Sequence, residues 1–440
     1  MSGPSLSATD LQVSQLGECL VPSPLRLSSY GDTGRFVADG TGVPTHVEVV
    51  PGQPNGSSDV AFEKAGPRAS IYFDPSRVRA AVVTCGGLCP GLNNVIRSLT
   101  LQLHYGYGVK EILGLRYGYR GLDPVRAEPP LLLNRDAVGH IHRLGGSILG
   151  TSRGPVPPEL AIAQLRRLGV NVLFTIGGDG TQRGAHAIAL EAQKQGYALA
   201  VVGVPKTIDN DIPYVWRSFG YFTAIERSRE IIECAHNEAI GHEHGVGLVR
   251  LMGREAGFVA AGATLASQEV NFALIPEVPF ILEGEGGFLA ALRRRLGERK
   301  HAVVVVAEGA GQEYLQVPEG LDASGNGKLA DIGVFLRDRI KEDARAHNTK
   351  ADVKYFDPAY YIRSVAANSE DALYCDQLAR CAVHAAMAGK TDMLVGLWYN
   401  VITHVPIALA VNSRKRITLQ NDIWHSVLQT TGQPTNIFKT

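Results

Sequence analysis

Short apolar runs recur along the chain, and each is followed by a polar turn that contains glycine, proline or acidic residues. The clearest runs are Val78 to Val83, Val172 to Ile176, Ala198 to Val204 and Ala302 to Ala307. Because apolar residues fill consecutive positions, each run predicts a strand that is covered on both faces, as in a parallel sheet. Pro205 has no N–H to donate to a sheet ladder, so the chain is expected to turn after the third run.

Stretches with apolar residues at helical spacing separate these runs. The segment Leu92 to Leu99 places apolar residues at i, i+3, i+4 and i+7 and predicts a helix directly behind a glycine turn. Further helices are predicted around Leu165, from about Thr223, and from a cap at Asn368 or Ser369 to Gly389. Further strands are predicted at Val109 to Leu115, Val246 to Leu251, Phe272 to Ile275 and Met393 to Leu397.

This alternation of strands and helices predicts the α/β class, with two doubly wound, Rossmann-like domains that face each other across a cleft. A chain of 440 residues is too long for one simple core. We expect residues 72–220 with about 371–412 to form one domain, and residues 221–370 with about 413–440 to form the other. Residues 1–71 are rich in Ser, Gly, Pro and Thr and predict an extension that wraps a partner surface or is partly disordered, with one short strand at Val47 to Val50.

Charge and cysteine content exclude several classes of function. The 43 basic and 43 acidic residues cancel, which argues against a nucleic acid or a membrane held by bulk charge. The six cysteines show no paired CxxC spacing, so neither a zinc site nor a disulfide framework is indicated, and reduced thiols in the cytoplasm are expected. No apolar run reaches the ~18 residues of a membrane-spanning helix. An anionic substrate would therefore be captured by local groups.

The turn after the third run carries the densest chemistry in the chain. Residues 205–211 read Pro-Lys-Thr-Ile-Asp-Asn-Asp and combine an ammonium, a hydroxyl and two carboxylates. Ligands of open parallel sheets bind outside the carboxyl ends of the strands, where this turn is predicted. Two aspartates separated by one residue can act as a base and as an electrostatic partner at a metal–phosphate site.

Other predicted strands also end in turns suited to phosphate. Thr84 to Gly91 and Gly177 to Thr181 are glycine turns before helices, where backbone N–H groups can approach an anion. Asp179 lies in the second of them and is a plausible Mg²⁺ ligand. The glycine loop Gly145 to Gly154 carries Arg153, whose planar fork suits phosphate oxygens.

These turns resemble those of the phosphofructokinase family over the region from about Tyr72 to about Val411. The resemblance rests on four motifs, which are Thr84 to Arg97, Gly177 to Thr181, Pro205 to Asp211 and Met252 to Gly257. No Walker A pattern and no protein-kinase signature set is present. The chain is most similar to the long-chain branch of the family, which contains both ATP-dependent and pyrophosphate-dependent enzymes.

The resemblance implies a role for each matching residue. Asp209 would be the base that takes the proton from the sugar 1-hydroxyl, Asp211 the second acidic residue, and Thr207 a donor to the transferring phosphoryl group, with Lys206 and Arg254 completing the catalytic set. The residues implied to contact the nucleotide are Gly86, Arg153, Gly154, Gly178, Asp179, Gly180 and Thr181, and Asp179 is also the implied metal-associated carboxylate. The residues implied to contact the sugar phosphate are Thr207, Ile208, Asp209, Met252, Gly253, Arg254, Glu308, Lys354, Tyr360 and Arg363.

The resemblance therefore implies transfer of the γ-phosphoryl group of ATP to fructose 6-phosphate with Mg²⁺, by a cytoplasmic homodimer or homotetramer without nucleic-acid or membrane partners. It places the nucleotide and Mg²⁺ in the domain that contains residues 72–220, and the sugar phosphate in the other. A pyrophosphate-dependent enzyme, a catalytically silent ligand-binding homologue, and activity on sedoheptulose 7-phosphate stay open as alternatives.

Gly180 and Lys206 bear on the choice of donor. Pyrophosphate enzymes of the family generally carry aspartate at the position of Gly180, where a carboxylate would crowd and repel the α-phosphate of a nucleotide. Lys206 occurs in both donor types of this branch and discriminates poorly. A carboxylate at this position would exclude a nucleotide whatever other contacts are present, whereas the contact from Lys206 is compatible with either donor. Gly180 therefore predicts ATP as the donor.

Overall fold

The structure, a computed structural model, describes residues 6–26, 36–47, 60–316, 319–320, 327–420 and 422–439. The chain divides into two compact units. The first unit comprises Met1–Thr207, Ile212–Gly220 and Val365–Arg414, and the second comprises Ile208–Asp211, Tyr221–Ser364 and Lys415–Thr440. Of the strand predicted at Val47 to Val50, residues 48–50 lie outside the described part of the chain.

Within the described residues, the strands are β1 (Ser14–Gln15), β2 (Val21–Pro22), β3 (Gly42–Pro44), β4 (Ala61–Lys64), β5 (Ser70–Ile71), β6 (Arg79–Thr84), β7 (Glu111–Gly114), β8 (Leu131–Leu132), β9 (Val172–Gly177), β10 (Ala200–Pro205), β11 (Gly245–Leu251), β12 (Phe272–Leu274), β13 (His301–Ala307), β14 (Asp352–Phe356), β15 (Lys390–Thr391), β16 (Met393–Trp398) and β17 (Val401–Pro406). The runs that predicted β6, β9, β10 and β13 match these strands to within two residues at either end.

The α-helices of the same residues are α1 (Leu92–Leu101), α2 (Pro158–Arg167), α3 (Asp179–Lys194), α4 (Tyr221–Ile240), α5 (Phe258–Ser267), α6 (Phe288–Arg299), α7 (Ile332–Ala346), α8 (Ala359–Arg363), α9 (Ser369–Met387), α10 (Ile407–Ala410) and α11 (Asp422–Thr431). A π-helical turn, Gln102–Gly106, extends α1. Short 3₁₀ helices lie at Thr9–Leu11, Pro75–Arg77, Gly118–Leu122, Ile141–Arg143, Gln312–Tyr314 and Thr435–Ile437.

The first unit is built on a sheet with the strand order β3-β4-β17-β16-β10-β9-β6-β7-β8. From β16 through β10, β9 and β6 to β7, neighbouring strands pair in parallel. Every residue of β9 and β10 is buried, as their continuous apolar runs predict. The carboxyl ends of β6, β9 and β10 therefore meet at one edge of this sheet. The predicted α/β class is confirmed.

The end of the sheet differs from the sequence-based prediction, in which Met393 to Leu397 is the last strand. After β16 the chain turns back and adds β17, which pairs antiparallel with it. The two turn residues, Tyr399 and Asn400, have φ angles of 43° and 65°. Such left-handed backbone is typical of tight hairpin turns and is usually supplied by glycine. Neither residue is glycine, so the strongest hairpin signal is missing from the sequence, and Asn400 alone does not predict the turn.

The described part of residues 1–71 contributes strands to the first unit. β1 pairs with β15, and β4 pairs with β17 beside the hairpin. Buried Arg68 donates a hydrogen bond of 2.8 Å to the Glu63 carboxylate, and Lys390 donates one of 3.0 Å to the same group. These contacts hold the predicted extension against the unit. Strands of two to four residues are too short to show a period in the sequence.

The second unit is built on a parallel sheet with the order β12-β13-β11-β14. Val303 to Val306 of β13 are fully buried, helix α4 packs against β11 and β13, and helix α5 packs against β13. Parallel order places the carboxyl ends of β11, β13 and β14 at one edge of the sheet. In the part of the chain that the structure describes, none of the helices combines the length and apolar character needed to cross a bilayer.

Candidate active-site residues

The glycine turn between β6 and α1 is held against the loop that carries Arg153. The Gly86 N–H donates to the Ser152 carbonyl at 3.0 Å, and the Thr151 hydroxyl donates to the Gly86 carbonyl at 2.5 Å. Gly86 has a φ of +83°, a conformation that glycine adopts without strain. Arg153 and Gly154 beside it are exposed, and a Cβ at Gly154 would meet no atom of the described residues within 4 Å. The sequence-predicted Gly86, Arg153 and Gly154 therefore lie on two neighbouring turns.

The second glycine turn leads from β9 into α3, which begins at Asp179. A Cβ at Gly177 would lie 2.2 Å from Thr181 Oγ1, so the helix starts this close to the strand only because residue 177 is glycine. At Gly180, by contrast, a Cβ would meet no described atom within 4 Å, and the residue is exposed. The N–H groups of a helix N-terminus attract anions. The first turn of α3 is therefore an open position for a phosphate.

Asp179 is the candidate metal-associated carboxylate. Arg183, one helical turn later, places a guanidinium nitrogen 3.0 Å from the carboxylate, and Arg414 places one at 3.8 Å. No group of three or more His, Cys, Asp or Glu side chains able to hold a metal occurs among the described residues. Mg²⁺ in kinase-type sites is held by one or two carboxylates, by substrate phosphates and by its own waters. A single carboxylate at a helix N-terminus, where backbone N–H groups can attract a phosphate, fits that mode of binding.

Lys206 connects the two glycine turns. Its backbone N–H donates to the Gly177 carbonyl at 3.0 Å, and its ammonium donates to the Gly87 carbonyl at 2.7 Å. The side chain is buried, and a Cβ at Gly86 would lie only 3.6 Å from its Nζ. The carbonyl of the next residue, Thr207, accepts a hydrogen bond from the Ser218 hydroxyl. The first unit thus brings the lysine of the 205–211 motif to the turns predicted to bind nucleotide.

The motif crosses the boundary between the units, and residues Ile208–Asp211 belong to the second. Ile208 packs against the core of that unit, and one oxygen of the Asp209 carboxylate is buried. Asn210 has a φ of +56°, and its amide oxygen accepts a hydrogen bond of 3.0 Å from the Lys415 ammonium. The Lys415 N–H donates to the Asp211 carbonyl at 2.8 Å. Sequence reasoning missed Lys415, which lies about two hundred residues beyond the motif and shows no local signal.

The loops after β11 and β13 are joined by backbone hydrogen bonds. The Glu308 N–H donates to the Leu251 carbonyl at 2.9 Å, and the Gly309 N–H donates to the Gly253 carbonyl at 3.0 Å. A Cβ at Gly309 would lie 1.7 Å from the Arg254 carbonyl oxygen, so the loops approach this closely only with glycine there. The two loops therefore hold Met252, Gly253, Arg254 and Glu308 close together.

Glu308 lies among three arginines. Burial raises the pKa of its carboxyl, while the guanidinium groups of Arg250, Arg254 and Arg363 act in the opposite direction. Arg254 also donates to the Gly327 carbonyl at 2.6 and 3.1 Å. The structure thus brings together the predicted residues Arg254, Glu308 and Arg363, and guanidinium groups such as those of Arg254 and Arg363 suit a phosphate-bearing ligand.

Arg250 is a member of this cluster that sequence reasoning missed. Its guanidinium donates to the Asp357 carboxylate at 2.6 Å and lies 3.9 Å from the Asp331 carboxylate. Its partners lie about eighty and one hundred residues away in the sequence, so no spacing pattern connects them. By contrast, the pair of Asp179 and Arg183 has helical i, i+4 spacing and could have been found from the sequence.

Tyr360 and Arg363 occupy α8, and the guanidinium carbon of Arg363 lies 4.3 Å from the centre of the Tyr360 ring. That stacking orients the arginine, and 73% of the Tyr360 surface is exposed. Lys354 has a different neighbourhood, because its ammonium lies 3.2 Å from the carboxylate of Asp352 on the same strand. Arg363 therefore lies near Glu308, whereas the ionic partner of Lys354 is Asp352, two residues earlier on the same strand.

The buried ammonium of Lys415 predicts a measurable pH dependence of stability. Burial lowers the pKa of Lys415 from 10.5 to about 7, and the Asp211 carboxylate partly opposes this. Between about pH 7 and pH 10 the unfolded chain therefore binds more protons at this lysine than the folded chain, so its contribution to stability rises with pH. We expect the free energy of unfolding of wild type, relative to that of Lys415→Met, to increase over this range in urea titrations.

Lys439→Met is the matched control for that measurement. Lys439 is also a lysine of the second unit, and its hydrogen bonds to Glu313 and Tyr314 raise its pKa above 10.5. Its contribution to stability is fully present below pH 10.5 and is lost only as the pH rises through the folded-state pKa, so the control difference should be flat between pH 7 and pH 10. Parallel stability curves for wild type and Lys415→Met would contradict the shifted pKa.

The fold and the loops together define a class of protein. Two α/β units carry glycine-rich or cationic loops at the carboxyl ends of parallel strands, as phosphate-binding α/β proteins do. Among solved structures, the chain resembles a pyrophosphate-dependent phosphofructokinase from Marinobacter aquaeolei, with a TM-score of 0.65 and 22% identity over 80% of this chain and 91% of that chain. At this identity the likeness shows a common fold.

Sequence comparison gives the family. The phosphofructokinase family model matches residues 79–386. The chain is 46% identical over 434 residues to an ATP-dependent 6-phosphofructokinase of Borreliella burgdorferi, covering 97% of each chain. It is 45% identical over 442 residues to one of Amycolatopsis methanolica, covering 98% of this chain and 96% of that one. The chain belongs to the phosphofructokinase family.

Proposed function

We propose that the protein is an ATP-dependent 6-phosphofructokinase. It transfers the γ-phosphoryl group of ATP to the 1-hydroxyl of fructose 6-phosphate and yields fructose 1,6-bisphosphate and ADP. The near-full-length identity to enzymes of that name supports this assignment. The observation that carries the choice of donor is Gly180, where the first turn of α3 is exposed and open. That space is available to the α-phosphate of a nucleotide.

In this proposal the first unit binds the nucleotide. Backbone N–H groups of the Gly86 and Gly178–Thr181 turns and the Arg153–Gly154 loop contact its phosphates, and the Lys206 ammonium neutralises part of their charge. Mg²⁺, associated with Asp179, supplies charge neutralisation at the phosphate oxygens when it is bound. Arg183 and Arg414 then counterbalance the negative charge that gathers around that carboxylate.

The second unit binds the sugar phosphate and supplies the base. Arg254 and Arg363 donate to the 6-phosphate or to charge that develops on the transferring group, and Glu308 accepts a hydrogen bond from a sugar hydroxyl. Asp209 takes the proton from the 1-hydroxyl as its oxygen attacks in line, and no phosphoenzyme forms. Thr207 hydrogen-bonds the moving phosphoryl group. The remaining sugar-phosphate contacts come from Ile208, Met252, Gly253, Lys354 and Tyr360.

A coupled assay tests the activity. Purified protein with fructose 6-phosphate, ATP and Mg²⁺ is expected to form fructose 1,6-bisphosphate and ADP in equal amounts. Saturable binding of both substrates without turnover would contradict the proposal and support a catalytically silent homologue. The same assay with sedoheptulose 7-phosphate is expected to give a lower kcat/KM.

The role of Arg363 leads to a prediction. Arg363→Ala should raise KM for fructose 6-phosphate by one to two orders of magnitude, about the loss of a charge-assisted phosphate contact of ~1.5–3 kcal/mol. KM for ATP should stay within about twofold, because the first unit holds the nucleotide in this proposal. The control is Arg337→Ala, which removes an arginine of the same unit that pairs with its neighbour Asp338 at 2.8 Å. Equal increases of both KM values in Arg363→Ala would show that Arg363 is structural.

We also propose that the protein acts in the cytoplasm as a homodimer or homotetramer. Membership of the phosphofructokinase family supports the oligomer. Light scattering that gives the 47.2 kDa mass of a single chain at assay concentration would contradict it.

A further inference from the structure

The segment Lys415–Ile417 connects two loops of the second unit through its backbone. At one end, the Lys415 N–H donates to the Asp211 carbonyl at 2.8 Å. At the other end, the Ile417 N–H donates to the Glu277 carboxylate at 2.9 Å, and the same carboxylate accepts from the Gly257 N–H at 2.9 and 3.0 Å. The segment is thus bonded directly to the turn that carries Asp209, and through Glu277 to the loop that begins with Met252.

The side chains of Lys415 and Arg416 contact the same two parts of the second unit, the turn at residues 208–211 and the region of the 252–257 loop. The Lys415 ammonium donates to the Asn210 amide oxygen at 3.0 Å and lies 5.2 Å from the centre of the Phe258 ring, the first residue of α5. Arg416 donates to the Glu255 carboxylate at 2.5 Å. Lys415 therefore contacts residue 210 on one side and the residue that follows the 252–257 loop on the other.

The contact with Asn210 acts on the base itself. Asn210 stands between the two aspartates and has left-handed backbone, with a φ of +56°. Asparagine tolerates that conformation better than most residues but at some cost, so a bond to its side chain helps to hold it. The backbone of residue 210 sets the directions in which Asp209 and Asp211 point. Fixing the amide of Asn210 therefore restricts the backbone that carries the carboxylate of Asp209.

We propose that Lys415 is a positioning residue for the phosphoryl-transfer reaction. It holds the turn at residues 208–211 in register with the loop that carries Arg254, and its positive charge faces the Asp211 carboxylate. It does not touch the reacting atoms. This inference rests on the proposed function, and amide hydrogen exchange tests it without turnover.

Lys415→Met tests this role because methionine keeps an apolar stem beside Phe258 but has neither donor nor charge. We expect kcat to fall by one to two orders of magnitude, since misplacement of a reacting group by about 1 Å costs ~10²-fold. KM for both substrates should stay within about threefold. Lys439→Met is the control, because Lys439 Nζ lies 3.0 Å from Glu313 and 4.9 Å from the centre of the Tyr314 ring. Its kcat should stay within about twofold of wild type.

The pH profile of kcat/KM separates positioning from general loosening. Removing a cation that faces Asp211 favours the protonated form of nearby carboxylates, so the acid limb should move to higher pH in Lys415→Met. Loosening alone would lower the rate and leave the limb in place. An unmoved limb, or a kcat equal to that of wild type, would overturn the proposal.

Two further measurements keep the test decisive. If Lys415→Met does not fold, Asn210→Gly removes the same hydrogen bond while glycine keeps the left-handed backbone, and it should show the same loss of kcat. In the variant pair, amide hydrogen exchange of residues 208–211 without substrate should be faster in Lys415→Met and unchanged in Lys439→Met. If the wild-type protein shows no turnover, the proposed function is wrong, and the exchange measurement still tests the positioning role. If amide hydrogen exchange of residues 208–211 is the same in Lys415→Met as in wild type, the positioning role is wrong.

Discussion

Asp209→Asn is expected to lower kcat by about 10²–10⁴-fold, the usual contribution of a general base. The amide is almost the same size as the carboxylate but cannot accept the proton of the 1-hydroxyl. Because phosphoryl transfer depends mainly on positioning and charge neutralisation, the residual rate should remain measurable. KM for ATP should change little, since the nucleotide contacts assigned here come from other residues.

The surroundings of Asp209 make this a clean substitution. The turn is held by the hydrogen bonds that Lys415 donates to Asn210 and Asp211, and asparagine matches aspartate in size and shape. The variant should therefore fold like wild type and unfold at a similar temperature. Asp338→Asn, at a carboxylate that pairs with adjacent Arg337, is the control and should keep full activity. An Asp209→Asn enzyme with near-normal kcat would remove Asp209 from the role of base.

Gly180→Asp is expected to abolish turnover with ATP. A Cβ at this position meets no described atom within 4 Å, so the protein itself accommodates the side chain. The new carboxylate would lie in the first turn of α3 beside Asp179, where an acidic residue stabilises the helix. The loss is therefore predicted to come from the nucleotide, whose α-phosphate meets a negative charge in the space that glycine leaves open.

Gly180→Ala separates charge from bulk at the same position. Alanine adds only a methyl group, so most of the activity with ATP should survive. With Lys206 in place to hold phosphate, Gly180→Asp is also expected to show weak use of pyrophosphate in the coupled assay. Undiminished kcat/KM for ATP in Gly180→Asp would contradict the steric and electrostatic account of donor choice.

The sequence predicts the fold well where burial alone determines structure. The runs behind β9, β10 and β13 are continuous and apolar, because both faces of these strands are covered, and their bounds are confirmed to within two residues. The prediction is wrong at the sheet edge, where the turn at Tyr399 and Asn400 takes the left-handed conformation without glycine. It is also uninformative for β1 to β5, whose few residues pair with distant strands.

The residues of the candidate site also fall into two groups, those that the sequence predicts and those that it does not. Glycine turns and carboxylates that follow a strand directly, such as Gly178 and Asp209, are visible in the sequence because the strand places them at the edge of a sheet. Lys415 and Arg250 are not visible, because their partners lie far away in the sequence and only the folded chain brings them together. The roles assigned to the predicted residues stay predictions until the variants are measured.

A side-by-side measurement of kcat/KM with ATP and with pyrophosphate, at saturating fructose 6-phosphate and Mg²⁺, tests the central claim most directly. The open first turn of α3 at Gly180 predicts efficient turnover with ATP and little or none with pyrophosphate. A higher kcat/KM for pyrophosphate in the wild-type enzyme would contradict that claim and identify the protein as a pyrophosphate-dependent phosphofructokinase.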